Sequence, residues 1–142
     1  MNLRRINQKK MNDQIKRGVV YNKVVNGRRF VVTRNGFDVS PEERKFYKNL
    51  ARDWYCGYMQ ILPSDKEYAL LRDDEDDLNG FYESDHIGDI YGIGGITFMG
   101  KFKIWPYEGY YLGFDTAHYF SRDVTEKEVI KATLDMEKGL EK

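Results

Sequence analysis

The chain has 142 residues, 41% of them apolar and 15% aromatic, which is the size of one compact domain with a single core. Its 23 basic and 23 acidic residues cancel, yet residues 1–35 hold ten Lys or Arg and one acid, Asp13, so the chain is basic at its start and acidic from Gly36 onward. Cys56 is the only cysteine, which excludes an internal disulfide and a multi-cysteine zinc site and suits a reducing interior.

Nothing in the sequence approaches about 18 consecutive apolar residues, and the basic N-terminus lacks the apolar stretch of a signal peptide. The expectation is a soluble, cytoplasmic protein with no membrane partner. Residues 1–35 read as a basic arm followed by a hairpin, and residues 36–142 as a compact α+β domain.

In chain order, residues 2–17 can form a polar helix with an incomplete stripe at Leu3, Ile6, Met11 and Ile15, stable only when docked. Val19–Val25 and Arg28–Arg34 are rich in β-branched residues and flank Asn26-Gly27, the pair that most readily forms a type I′ hairpin turn. Such a hairpin is marginal alone and must join a larger sheet or be covered. Ser40-Pro41-Glu42-Glu43 has the form of a capped helix start, and Phe46, Tyr47, Leu50 and Trp54 follow at helical spacing.

Tyr55–Leu62 then reads as extended, and residues 64–90 as an acidic surface loop. Glycines punctuate three short apolar runs at Ile93–Met99, Phe102–Trp105 and Tyr110–Phe114, which predict three antiparallel strands with turns at Gly100-Lys101 and Pro106–Gly109. Thr125-Glu126-Lys127-Glu128 is a capping box, and the apolar residues from Val129 to Leu140 predict a C-terminal amphipathic helix. The fold class expected is α+β: a mostly antiparallel sheet with an N-terminal hairpin, a central helix and a C-terminal helix.

Constellations that carry chemistry are few. Asp115 and His118 form the best local pair, lying where a strand ends. With His86, Asp85, Asp89 and Asp123 they offer a mixed metal site or an acid/base pair, against a simpler role for His118 in fixing the turn. Glu75-x-Asp77-x-Asn79-Gly80 resembles the front of a calcium loop, but His86 occupies the twelfth position, where a bidentate glutamate is needed. Cys56, framed by Tyr55 and Tyr58, reads as a small core residue more readily than as a nucleophile. Gly92-Ile93-Gly94-Gly95 lacks nucleotide-binding spacing and indicates a bend or close packing. No catalytic residue, resident metal or cofactor is assigned.

The aromatic excess is the better lead. Tyr107, Tyr110, Tyr111, Tyr119 and Phe120 cluster around turns, and tyrosine combines rigid contact area with a hydrogen-bonding tip. Tyr107, Tyr110, Tyr111, Asp115, His118 and Tyr119 are therefore the candidate binding residues. The alternative is a nucleic-acid contact through Arg4, Arg5, Lys9, Lys10, Lys16, Arg17, Arg28 and Arg29.

Trp54-Tyr55-Cys56-Gly57-Tyr58, Gly94-Gly95-Ile96-Thr97-Phe98 and Gly113-Phe114-Asp115-Thr116-Ala117-His118 together resemble a group of small bacteriophage and prophage proteins. Those proteins carry a CGY stretch leading to a proline, a glycine-glycine-leucine/isoleucine-threonine-aromatic strand, and a GFDxAH segment before a C-terminal helix. The resemblance runs from Trp54 to Leu140 and leaves out the first 35 residues. It implies shared architecture and supplies no established activity. Ile93 stands where the relatives commonly place histidine, and Tyr119-Phe120-Ser121-Arg122 stand where they often have a glycine-aspartate pair, which counts against a shared histidine-dependent reaction.

The functional expectation is a phage or prophage accessory protein, in the cytoplasm of a bacterial host cell, that binds a host protein or a signalling nucleotide and interferes with a host process such as antiviral defence; a homo-oligomer is compatible with this reading. The rivals are a nucleic-acid-binding protein using the basic arm and a small metal-dependent hydrolase using Asp115 and His118.

Overall fold

A computed structural model describes residues 18–35, 42, 54–70, 90–117 and 124–140. Among them are five antiparallel strands in one sheet: β1 (Val19–Val25), β2 (Arg28–Asn35), β3 (Trp54–Ile61), β4 (Phe98–Phe102) and β5 (Gly109–Asp115), in spatial order β1-β2-β3-β5-β4. A helix, α1 (Glu126–Asp135), follows and tightens into a 3-10 turn at Met136–Gly139. The fold is α+β, as expected, with a mostly antiparallel sheet and a C-terminal helix.

The hairpin forms where the turn chemistry puts it. Asn26 (φ 52°) and Gly27 (φ 80°) both take left-handed backbone, as a type I′ turn requires. β2 then pairs with β3 from Phe30↔Met59 to Asn35↔Trp54, so residues 18–35 share one sheet with the strands that follow.

Strand alternation sorts side chains onto two buried faces. Phe30, Val32, Met59, Ile61, Leu112 and Phe114 meet Val129, Met136 and Leu140 on the α1 side. Val31, Cys56, Tyr58, Phe102 and Tyr111 form a second cluster on the other side. Two glycines set the closeness of these layers: a Cβ on Gly57 would collide with Thr133 Oγ1 of α1 and lie 2.7 Å from Phe114, and one on Gly113 would lie 2.7 Å from the Tyr58 ring. The glycines of the CGY and GFD segments are therefore packing residues.

The helix start follows its sequence signature. Thr125 Oγ1 accepts from Glu128 N at 3.2 Å, and the Glu128 carboxylate reaches back to Thr125 N at 3.4 Å.

Several expectations need correction. The runs Ile93–Met99 and Phe102–Trp105 are not two strands with a turn at Gly100-Lys101. A single strand, β4, spans Phe98–Phe102 with those two residues inside it. Residues Gly92–Gly95 form a turn closed by Gly95 N donating to Gly92 O at 2.9 Å. Trp54 opens β3 instead of ending a helix. The predicted helix it was to close lies outside the described residues, apart from Glu42, which is helical. The front of the acidic stretch, Lys66–Leu70, is a 3-10 helix with Glu67 buried.

Candidate binding surface

The sheet face opposite α1 has two chemically different ends. At the first, β3 and β5 set Cys56 opposite Asp115, and Thr97 Oγ1 donates to Asp115 Oδ2 at 2.8 Å while Ala117 N donates to Oδ1 at 3.1 Å. Asn35 Nδ2 donates to Thr33 Oγ1 and to Cys56 Sγ, both at 3.2 Å. Cys56, Thr97 and Asp115, one from each of the three motif segments, thus come together at this end of the sheet, a convergence that sequence spacing does not reveal.

Burial pushes the Cys56 thiol up to about 12, so it stays protonated at neutral pH and is poorly suited to nucleophilic attack. Burial likewise drives the Tyr58 hydroxyl well above its ordinary range. This end is built for order. Among the described residues no three His, Cys, Asp or Glu side chains are grouped to hold a metal ion.

The second end lies where β2 and β5 begin and β3 and β4 finish. Val24, Arg29, Gln60, Tyr111 and Gly100 line up across the five strands: Val24 faces Arg29, Gln60 faces Tyr111, and Tyr111 faces Gly100, while Gln60 Oε1 accepts from Arg29 N at 3.0 Å. The connection from β4 to β5 folds over this end. Tyr107 N donates to Ile104 O at 2.8 Å, closing a turn around the cis Trp105-Pro106 bond, and Trp105 is left 81% exposed at its tip.

Two cation–aromatic pairs lie at this end of the sheet, one on each face. Arg29 lies 5.7 Å from the Tyr107 ring centre, and Lys101 Nζ lies 5.4 Å from that of Tyr110. Tyr110 also packs edge-on against Tyr68 at 5.6 Å.

Of the expected binding residues, Tyr107 and Tyr110 are half-buried at this end. Tyr111 is a core residue instead: its side chain is fully buried, its ring packs 4.7 Å from Phe102, and it offers no contact area. Asp115 belongs to the polar end. His118 and Tyr119 lie outside the described residues, as does His86.

The basic arm residues Arg4, Arg5, Lys9, Lys10, Lys16 and Arg17 also lie outside them. Arg28 is withdrawn from any phosphate. It is 8% exposed, donates through Nη1 and Nη2 to Asp65 at 2.6 and 2.8 Å, and through Nη1 to Gln60 O at 2.9 Å.

Comparison with protein-family models, with curated proteins and with solved structures gives no match.

Trp105 is the residue that sequence reading missed. Assigning Phe102–Trp105 to a strand hid it, although Pro106 directly after it, and the alternation Lys101-Phe102-Lys103-Ile104-Trp105 before it, mark a strand running out into a turn.

Proposed function

We propose that the protein acts by binding rather than turnover, as a phage or prophage accessory protein that engages a host component through the β4–β5 connection. The observation that carries this is Trp105, 81% exposed on a turn that Tyr107 N closes onto Ile104 O, with Tyr107 itself packed beneath Arg29. Trp, Tyr and Arg are the residues that dominate binding energy at interfaces. A tryptophan on a turn whose neighbours are fixed by packing presents its ring at little ordering cost. Resemblance of the three motif segments to phage proteins supports a host-directed role, with a host protein, a signalling nucleotide or a nucleic acid as target.

The test is native mass spectrometry of the protein and its Trp105→Ala variant, each purified from a phage-susceptible bacterial lysate. Wild type should carry a stoichiometric added mass that the variant loses. The proposal fails if both run at the bare chain mass, or if the variant keeps the added mass unchanged.

A further inference from the structure

The sheet ends on one side in β1, which has β2 as a neighbour and no strand beyond it among the described residues. Arg29 N donates to Gln60 Oε1, on the β3 side, at 3.0 Å, so Val24 and Arg29 face each other without exchanging backbone hydrogen bonds. Alternation then turns the N–H and C=O groups of Val24 and Asn22 away from β2. Asn22, Lys23 and Val24 are exposed, Val24 at 47%, and so is Val20 at 40%.

An edge of this kind is a template for another strand. β1 reads Val-Val-Tyr-Asn-Lys-Val-Val. It is rich in β-branched residues, free of proline and glycine, and carries one charge, which is the composition of a segment that pairs with its own copies.

A second copy can add antiparallel to β1 only in registers that set outward-facing residues opposite each other. The register centred on Lys23 sets Asn22 opposite Val24 of the second copy and uses every outward group of residues 21–25. It also sets Lys23 against its own counterpart in a pair without backbone hydrogen bonds, where Cα atoms approach to about 4.5 Å and like charges repel. The register centred on Asn22 avoids that contact but sets Val24 opposite Val20. Val19 pairs with Thr33 and Tyr21 with Val32, so Val20 is an extra, bulged residue that breaks the ladder there.

We infer that β1 is a self-association edge held shut, with Lys23 the residue that keeps a second copy off it. The bulge closes one register and leaves the Lys23-centred one to the charge. This role is independent of the one proposed for Trp105.

The experiment is sedimentation equilibrium of the full chain and its variants, with thermal unfolding confirming that each is folded. Lys23→Thr keeps a strand-forming side chain and removes the charge, and its mass should double relative to wild type. Lys23→Thr/Val24→Pro should return to the wild-type mass, because proline at 24 removes an outward N–H that the second copy needs and breaks no bond to β2. Lys23→Glu again sets like charges opposite each other and should stay at the wild-type mass. Lys131→Gln, which takes the same charge from an exposed position on α1, should stay there too.

The inference is overturned if Lys23→Thr keeps the wild-type mass, or if the double variant keeps the doubled one. Doubling by Lys23→Glu would show that like charge is not what holds the edge shut, and doubling by Lys131→Gln that any lost positive charge suffices; either overturns it. So does a wild-type mass that Val24→Pro alone cuts in half.

Discussion

Arg28 and Arg29 are neighbours in the chain with opposite fates. The two-residue period of a strand sends Arg28 to the α1 side, against Asp65 and, through Nε at 3.7 Å, towards Glu137, and turns Arg29 to the face that carries Tyr107. Sequence counts both as positive charge. Only the pairing register, Val25↔Arg28 and Val24↔Arg29, tells them apart, which is why both stood in one candidate set. Burial works against the charge of Asp65, but the Arg28 bonds and the Leu62 amide at 2.6 Å outweigh it and hold the carboxyl below its ordinary value. Arg28→Ala strands that carboxylate in the interior and should cost about 3 kcal/mol of stability by urea unfolding. Arg29→Ala should stay within about 0.5 kcal/mol of wild type.

Elements defined by local chemistry were readable from sequence, and those defined by distant partners were not. Asn26-Gly27 and the Thr125 capping box each specify their geometry within four residues, so the hairpin and α1 stand where expected. Thr125→Ala should therefore lower stability by about 1 kcal/mol, read as a drop in the thermal midpoint, with the sheet unchanged. β4 was misjudged for the converse reason. Gly100 and Lys101 resemble a turn, yet pairing with Tyr111 and Tyr110 keeps them extended, a tertiary override of local preference. Nothing in the order of segments announces that β5 inserts between β3 and β4, and it is that insertion which brings Asp115 opposite Cys56 and places the Trp105 turn at the Arg29 end.

For the whole molecule, the sheet carries three buried acids that are neutral when protonated: Cys56, Tyr58 and Tyr111, all with burial raising the native pKa. In the unfolded chain these groups ionise at ordinary values, about 8.5 for cysteine and 10 for tyrosine. The unfolded state then holds fewer protons than the native state, so stability is full at neutral pH and declines as pH rises through about 9 towards 12. Chemical unfolding between pH 7 and 11 should show that decline. Tyr111→Phe should make it shallower, since it removes a buried hydroxyl that has no hydrogen-bond partner among the described residues. A flat profile would mean that these side chains reach water in the native state.

The Arg28 cluster also has a consequence in time. It ties the start of β2 to the turn after β3 and to the end of the C-terminal helix, so it completes only when segments from both ends of the described chain have come together. Contacts of such long sequence separation are costly to close early in folding. Its removal should therefore steepen the escape from the native state while leaving the refolding limb of a chevron nearly unmoved. The ion pair sets the lifetime of the folded protein more than the speed of its formation.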